Sequence, residues 1–277
     1  MGTVCVEVAV RDDRRLLKAL DSLNAQTRRP DRVLIAASTA TPEPLLVEAR
    51  GRLTHVPVDV ARFEGGVVDA RSGALPLLRE DTTVFLDADE QAPPDWLAQI
   101  VAPVEAGRAA YVGGPTRPLR PPENSIERYE TLLEGSIYAH LVPQSVTYLP
   151  LQNTAWKTSV LRSLGFDPRI PFAEDHDVES RAARAGALGL FVEHAFVYHD
   201  HGNETSLLRW ARKRYRYLVA MAMSLMKNGR LQGRLEERRP PVRHPLRYVE
   251  AAMKPLALLH ASIRWRRLRQ QDSGSAE

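Results

Sequence analysis

The chain of 277 residues contains one cysteine, Cys5, so no internal disulfide can form and nothing points to an oxidising compartment. It has no run of about 18 apolar residues, so no bilayer-spanning helix is expected. The first ten residues lack the basic start of a signal peptide, and their alternation reads as a strand. No internal repeat or low-complexity domain is evident. Hydrophobic residues make up 44% and charged residues 26%, which excludes disorder throughout, collagen-like repetition and a disulfide scaffold. The length suits one large α/β domain, or a domain of roughly 200 residues with an appendage.

The net charge of +4 hides an asymmetry. From Leu207 to Arg269 there are 17 Lys/Arg and 3 Asp/Glu, a net of +14. From Met1 to Ser206 there are 21 and 29, a net of −8. A basic tail on an acidic body suits a polyanion, although a solvated helix face gives the same pattern.

The first two thirds alternate strands and helices. Val4–Val10 is an apolar run, followed by two aspartates and the helical spacing of Leu16, Leu17, Leu20 and Leu23. Strands are expected over 32–37, 56–60, 82–87, 109–112 and 190–198. Helices are expected over 69–78, 96–104, 126–139, after Thr158, over 174–185, 205–227 and 248–269, with Pro255 a kink. The Pro-rich 115–122 reads as a connector, 234–245 as a linker and 270–277 as loose. Strand–helix alternation argues for a doubly wound, mostly parallel sheet. In such sheets ligands sit beyond the carboxyl ends of the strands.

Three places there carry candidate chemistry. Phe85-Leu86-Asp87-Ala88-Asp89-Glu90 delivers two carboxylates from a buried strand, a donor set suited to Mg²⁺ or Mn²⁺, or simply acids capping the next helix. Glu174-Asp175-His176-Asp177, followed by Arg181, opens a helix; clustered carboxylates repel, so one can hold a raised pKa and act as a base. His199 and His201 end a strand on the same side of an extended chain, and either can be a metal ligand with an acid behind it.

In this order and spacing the three resemble a family 2 glycosyltransferase of the GT-A fold. The resemblance covers about Val4 to Ser206. It includes Ser22-Leu23-Asn24-Ala25-Gln26, Gly65-Gly66, Ala70-Arg71-Ser72, Asp87-Ala88-Asp89, Gly165-Phe166-Asp167 and Glu174-Asp175-His176-Asp177 with Arg181. It implies an α/β fold with a Rossmann-like, doubly wound mixed sheet and a C-terminal helical extension. It divides the chain into a domain 1–206, with halves at about 1–114 for the nucleotide sugar and 115–206 for the acceptor, and an extension 207–277. The implied activity is hexosyltransferase-like: inverting transfer from a nucleotide-diphospho-sugar to an acceptor hydroxyl, whether of a glycan, a lipid-linked molecule or a small molecule. Asp89, Asp87 and His199 would hold Mn²⁺ or Mg²⁺, and Asp175 would be the base, with Glu174 the runner-up. Arg71, Val10, Asp12, Ala36 and Ala88 fall at donor-binding positions. Asn153, Trp156, Asp177 and Arg181 fall at positions for substrate or its support.

The chain departs from the family where Ile35-Ala36-Ala37-Ser38 replaces an acidic segment that contacts the base. Arg11 and Asp12 are candidate substitutes. A non-catalytic binder of the same fold is the alternative reading; a nucleotidyltransferase is set aside because no glycine-rich loop follows the first strand. The basic, aromatic stretch 207–226 can pack on the body or, with the rest of 207–269, lie on an anionic membrane. No nucleic-acid module accompanies it, so no nucleic-acid partner is expected. The expected location is cytoplasmic, or peripheral on the inner face of the membrane.

Overall fold

The computed structural model describes residues 1–139, 141, 145–146, 148–202, 204–229 and 241–274. The chain begins β1 (Val4–Val10), α1 (Leu16–Asn24), β2 (Arg32–Ser38), α2 (Glu43–Arg50), β3 (Val58–Phe63) and α3 (Val67–Ala74). Then follow β4 (Thr82–Leu86), β5 (Glu90–Gln91), α4 (Trp96–Glu105), β6 (Tyr111–Gly113), β7 (Thr116–Pro118) and α5 (Ser125–Tyr138). The remainder is β8 (Ser145–Val146), β9 (Asn153–Lys157), α6 (Thr158–Leu164), α7 (Glu174–Arg184), β10 (Gly189–Phe191), β11 (Val197–His199), α8 (Leu207–Asn228) and α9 (Leu246–Gly274).

Eight strands form the central sheet in the order β3-β2-β1-β4-β9-β6-β10-β8. Its β1–β2, β2–β3, β1–β4 and β6–β10 pairs are parallel, whereas β9 runs antiparallel to both β4 and β6. This is the mixed, doubly wound α/β sheet expected from the sequence. A small sheet, β5-β11-β7, sits beside it and carries His199.

Strand alternation sets the two faces of the core. Val4, Val6, Val8 and Val10 join one apolar cluster with α1 and α4. Cys5 and Ala9 point into a second cluster with α3 and α7. Glu7 lies between them in the same strand, fully buried.

Some expectations change. The run 190–198 is two strands in different sheets, because Glu193 and His194 turn the chain between them. Helix α2 and strand β9 were not foreseen. β7 lies inside the Pro-rich connector, and α3 ends at Ala74 as Pro76 enters a short 3₁₀ turn, Leu75–Leu77. α9 continues through Pro255 to Gly274, past the start of the expected loose end. The expected linker lies largely outside the described residues, as do 275–277. The extension also packs on the body. Ala220 and Met221 of α8 join Ile170 and Ala173, while Trp210 joins Ile126 and Tyr129 of α5.

Candidate active site

Strand β4 ends at Leu86, so Asp87 and Asp89 emerge at its carboxyl edge next to the centre of the sheet. The Glu90 side chain turns back and accepts from the Asp87 backbone N–H at 3.0 Å, which fixes this short loop. Asp87 keeps about a third of its side chain exposed and Asp89 about a quarter.

Arg71 is the centre of the arrangement. Its guanidinium is buried at 5% exposure on α3, pairs with Asp87, and donates to Glu174 Oε1 at 3.0 Å. Its Nε lies 3.8 Å from Glu7. A single cation thus joins β1, the β4 loop and the first turn of α7. Neither Glu7 oxygen accepts a hydrogen bond among the described residues. Burial pushes Glu7 up to about 7, against the pull of Arg71. Burial also raises Asp87, again against Arg71, and the charge of Asp89 adds to the rise.

His199 lies on the other side of Asp89, with its Nε2 3.5 Å from Asp89 Oδ2. Its Nδ1 is 2.8 Å from Glu134 Oε1 on α5. The acid behind the histidine is therefore Glu134, far away in sequence. His201 Nε2 stands 3.3 Å from the other Glu134 oxygen. Ligand atoms of Glu134, His199 and His201 lie within 4.8 Å of one another. Burial disfavours the charge on His199, but Glu134 and Asp89 on either side outweigh it and raise its pKa well above normal. Burial likewise opposes the charge on Asp89, yet His199, Arg15 and Lys213 hold it below the usual carboxylate range. Arg15 reaches it from the start of α1 at 3.4 Å while pairing with Asp13 and donating to the Asp200 carbonyl.

These donors fit a hard divalent ion. The Asp89 carboxylate meets the His199 imidazole, and the far nitrogen of the imidazole is held by a second carboxylate, Glu134, the arrangement that fixes ring orientation in metal sites.

Asp175 differs from its neighbour Glu174. Its Oδ1 accepts from the His176 backbone N–H at 2.7 Å, and its Oδ2 accepts from the Tyr148 hydroxyl at 3.2 Å. Burial, reinforced by the charge of Glu174, pushes Asp175 up to about 7. Glu174 is instead held in an ion pair by Arg71.

The remaining expected positions are mostly internal. Trp156 is fully buried, stacked on Tyr111 with centroids 4.3 Å apart, and so offers no floor to a ligand. Asn153 is also fully buried; it donates to the Pro115 and Ala195 carbonyls and accepts from the Trp96 indole. Both are corrected from contact residues to internal supports. Asp177 is fully buried and ties Arg181 to Lys227 of α8. Arg181 also donates to the Leu164 and Gly165 carbonyls, so both residues brace α7 from inside. Ala36 is fully buried between Ala9 and Ala61, which leaves its side chain no ligand contact. Val10 and Ala88 are buried, and Asp12 is exposed.

The comparisons with known proteins bear on the family and the fold. The family model described as glycosyl transferase family 2 matches residues 6–165. No curated protein matches the chain. Among solved structures, the mannosyltransferase PcManGT from Pyrobaculum calidifontis, in complex with GDP-Man and Mn²⁺, is 20% identical with a TM-score of 0.64. That match covers 99% of this chain and 80% of the other. Glucosyl-3-phosphoglycerate synthase from Mycobacterium tuberculosis, with Mn²⁺, UDP and phosphoglyceric acid, is 17% identical with a TM-score of 0.56, over 82% of this chain and 79% of that one. S. aureus TarS 1-349 with UDP-GlcNAc is 16% identical with a TM-score of 0.55, over 85% and 70%. At such identities the likeness establishes the fold. With the family match over more than half its length, the chain belongs to glycosyl transferase family 2 and has the GT-A fold.

Proposed function

We propose that this chain transfers a sugar from a nucleotide-diphospho-sugar to an acceptor hydroxyl, with inversion at the anomeric carbon. The observation that carries the reading is a chain of contacts: the Arg71 bridge joins Asp87 to Glu174, and Asp89, two residues on, contacts His199. Asp89, with Asp87 and His199, would hold a divalent cation, Mn²⁺ or Mg²⁺, which supplies charge neutralisation for the leaving nucleoside diphosphate. Arg71 keeps Asp87 and Glu174 in place, and Glu134 orients His199. Asp175 takes the proton of the attacking hydroxyl. Among the described residues it has no ion-pair partner holding it down, and its pKa of about 7 suits a base at neutral pH. Proton removal makes the hydroxyl oxygen the nucleophile. Attack from the face opposite the departing diphosphate inverts the centre in one displacement.

The test is a thermal-shift panel of UDP, GDP and dTDP sugars with Mn²⁺ or Mg²⁺, followed by turnover assays. A ligand at about 100 times its Kd adds about 2.7 kcal/mol to stability, so even weak donors register. The expected result is stabilisation and slow hydrolysis by one donor class, both lost in Asp89→Ala. Neither binding nor turnover across the panel with both metals would refute the reading. A non-catalytic binder is the alternative, favoured by Ala36 and Ala37 at the end of β2; donor binding without product for any acceptor selects it.

The extension 207–269 we assign to an anionic membrane surface. Val249, Ala252, Leu256, Leu259 and Ile263 form one exposed row on α9, at helical spacing. Between Glu250 and Asp272 the helix carries five cations and no acid. Co-sedimentation with vesicles containing phosphatidylglycerol, but not with neutral vesicles, is the expected outcome.

A further inference from the structure

Behind the catalytic cleft, α5, α8 and α9 enclose a cavity of about 480 Å³. That is within the range of small-molecule pockets, ~300–1,000 Å³. Its walls are apolar: Leu133 and Ile137 of α5, Leu218, Met221 and Leu225 of α8, and Leu258 of α9. One side of the lining is ionic. Glu250, 2% exposed, accepts from Arg214 at 2.8 Å and from Arg247 at 3.1 Å, and lies 3.9 Å from Lys254. The Tyr129 hydroxyl also donates to it at 2.6 Å. Three cations thus face a single carboxylate on the lining. Glu130, behind Arg214, accepts from the Trp210 indole at 2.6 Å and does not line the cavity.

An apolar cavity with surplus positive charge at one side is complementary to an apolar chain bearing an anion. The outward apolar row of α9, with its basic flanks, lies on the same helix as Leu258 and Lys254, which places the cavity next to the face assigned to the bilayer. Tyr217 lines the cavity, and its hydroxyl is 3.4 Å from His176 Nε2, the residue after Asp175. Tyr217 thus connects the cavity lining to the first turn of α7.

We propose that the cavity between α5, α8 and α9 binds a single-chain anionic amphiphile, its apolar chain against Leu133, Leu218 and Leu225 and its phosphate at Arg214, Arg247 and Lys254. A bilayer lipid and a discrete lipid phosphate share that chemistry.

The test uses the full chain without nucleotide sugar or metal, so its outcome is separate from that of the transferase reading. Monomeric decyl phosphate is titrated by calorimetry, with decanol and inorganic phosphate as controls. Decyl phosphate should bind saturably, decanol at least about ten-fold more weakly and phosphate undetectably. Leu258→Glu and the pair Arg247→Gln with Lys254→Gln alter half-exposed positions and should leave the melting temperature within about 2 °C. Each should lower decyl phosphate affinity at least about ten-fold. Binding unchanged in both, or decanol equal to decyl phosphate, overturns the proposal. Anionic vesicles distinguish the two sources: binding lost together with decyl phosphate binding in Leu258→Glu identifies a bilayer lipid, and vesicle binding retained there identifies a discrete lipid phosphate. Both results support the cavity.

Discussion

Arg71→Met tests the central bridge. The substitution keeps an extended, flexible side chain and removes a buried cation from Glu7, Asp87 and Glu174. Removing one partner of a buried ion pair costs about 3–5 kcal/mol, because the remaining charge is left without compensation. For a chain of this size each kcal/mol moves the melting temperature by about 2–4 °C, so the expected loss at pH 8 is about 6–20 °C. The sign of the pH dependence follows from proton uptake. Burial raises Glu7 and Asp87 even against the pull of Arg71, so without it both have folded-state pKa values above their unfolded ones, the folded state binds more protons and stability falls as pH rises. Glu7 is pushed up to about 7 by burial even with the arginine present. The loss should therefore shrink towards pH 5. Adding Glu7→Gln to Arg71→Met should recover about 0.5–3 kcal/mol, the coupling expected of contacting residues. Differential scanning calorimetry between pH 5 and 8 reads all of this. A loss under about 2 °C, or one equal at both pH values, would refute the reasoning.

Further outcomes follow from the same geometry. Transfer by the wild type should rise with pH to a plateau through an apparent pKa near 7, and Asp175→Asn should lose about 10²–10⁴-fold in kcat, measured on the donor found by the panel. Because charging Asp175 costs the folded state as pH rises through 7, Asp175→Asn should also gain more stability at pH 8 than at pH 4, read by thermal melts. Glu134→Gln should weaken Mn²⁺ binding about 10–100-fold in calorimetric titration while retaining measurable transfer at saturating metal; an unchanged affinity would remove Glu134 as the orienting group. Trp156→Ala should cost about 3–5 kcal/mol in denaturant unfolding and leave donor KM unchanged, as its position in the core requires.

What was legible in the sequence was local. The strand of β4 and its two acids are adjacent residues, so one pattern showed both the element and the chemistry it carries. The same holds for the acidic start of α7 and for His199. What was not legible acts across space. Glu134 sits on α5, 65 residues before the histidine it orients, and no spacing rule connects them. Arg15 reads as one more arginine in a basic stretch until α1 brings it to Asp89. Glu7 did leave a trace, as a lone acid inside VCVEVAV, and that misfit was the available hint of a buried partner. The run 190–198 misled because its apolar residues continue across a polar turn that periodicity alone does not weigh. Trp156 and Asn153 were misplaced for the opposite reason: motif position put them near the ligand, whereas the antiparallel β9 holds their side chains within the layers.

Phe172 has a left-handed backbone, φ 68°, two residues before the pair Glu174 and Asp175, and no glycine relieves it. Such a conformation costs about 1–2 kcal/mol in an L-residue and persists only where the surroundings hold it. Part of that hold comes from Arg216 of α8, whose guanidinium rests 4.5 Å from the ring centre. The two helices that follow Ser206 are consequently unsuited to removal in search of a minimal enzyme. A chain shortened there would keep Asp89, Asp175 and His199, yet it would release the corner that precedes Glu174 and Asp175. Exchanging those helices between relatives would for the same reason disturb the turn that opens α7.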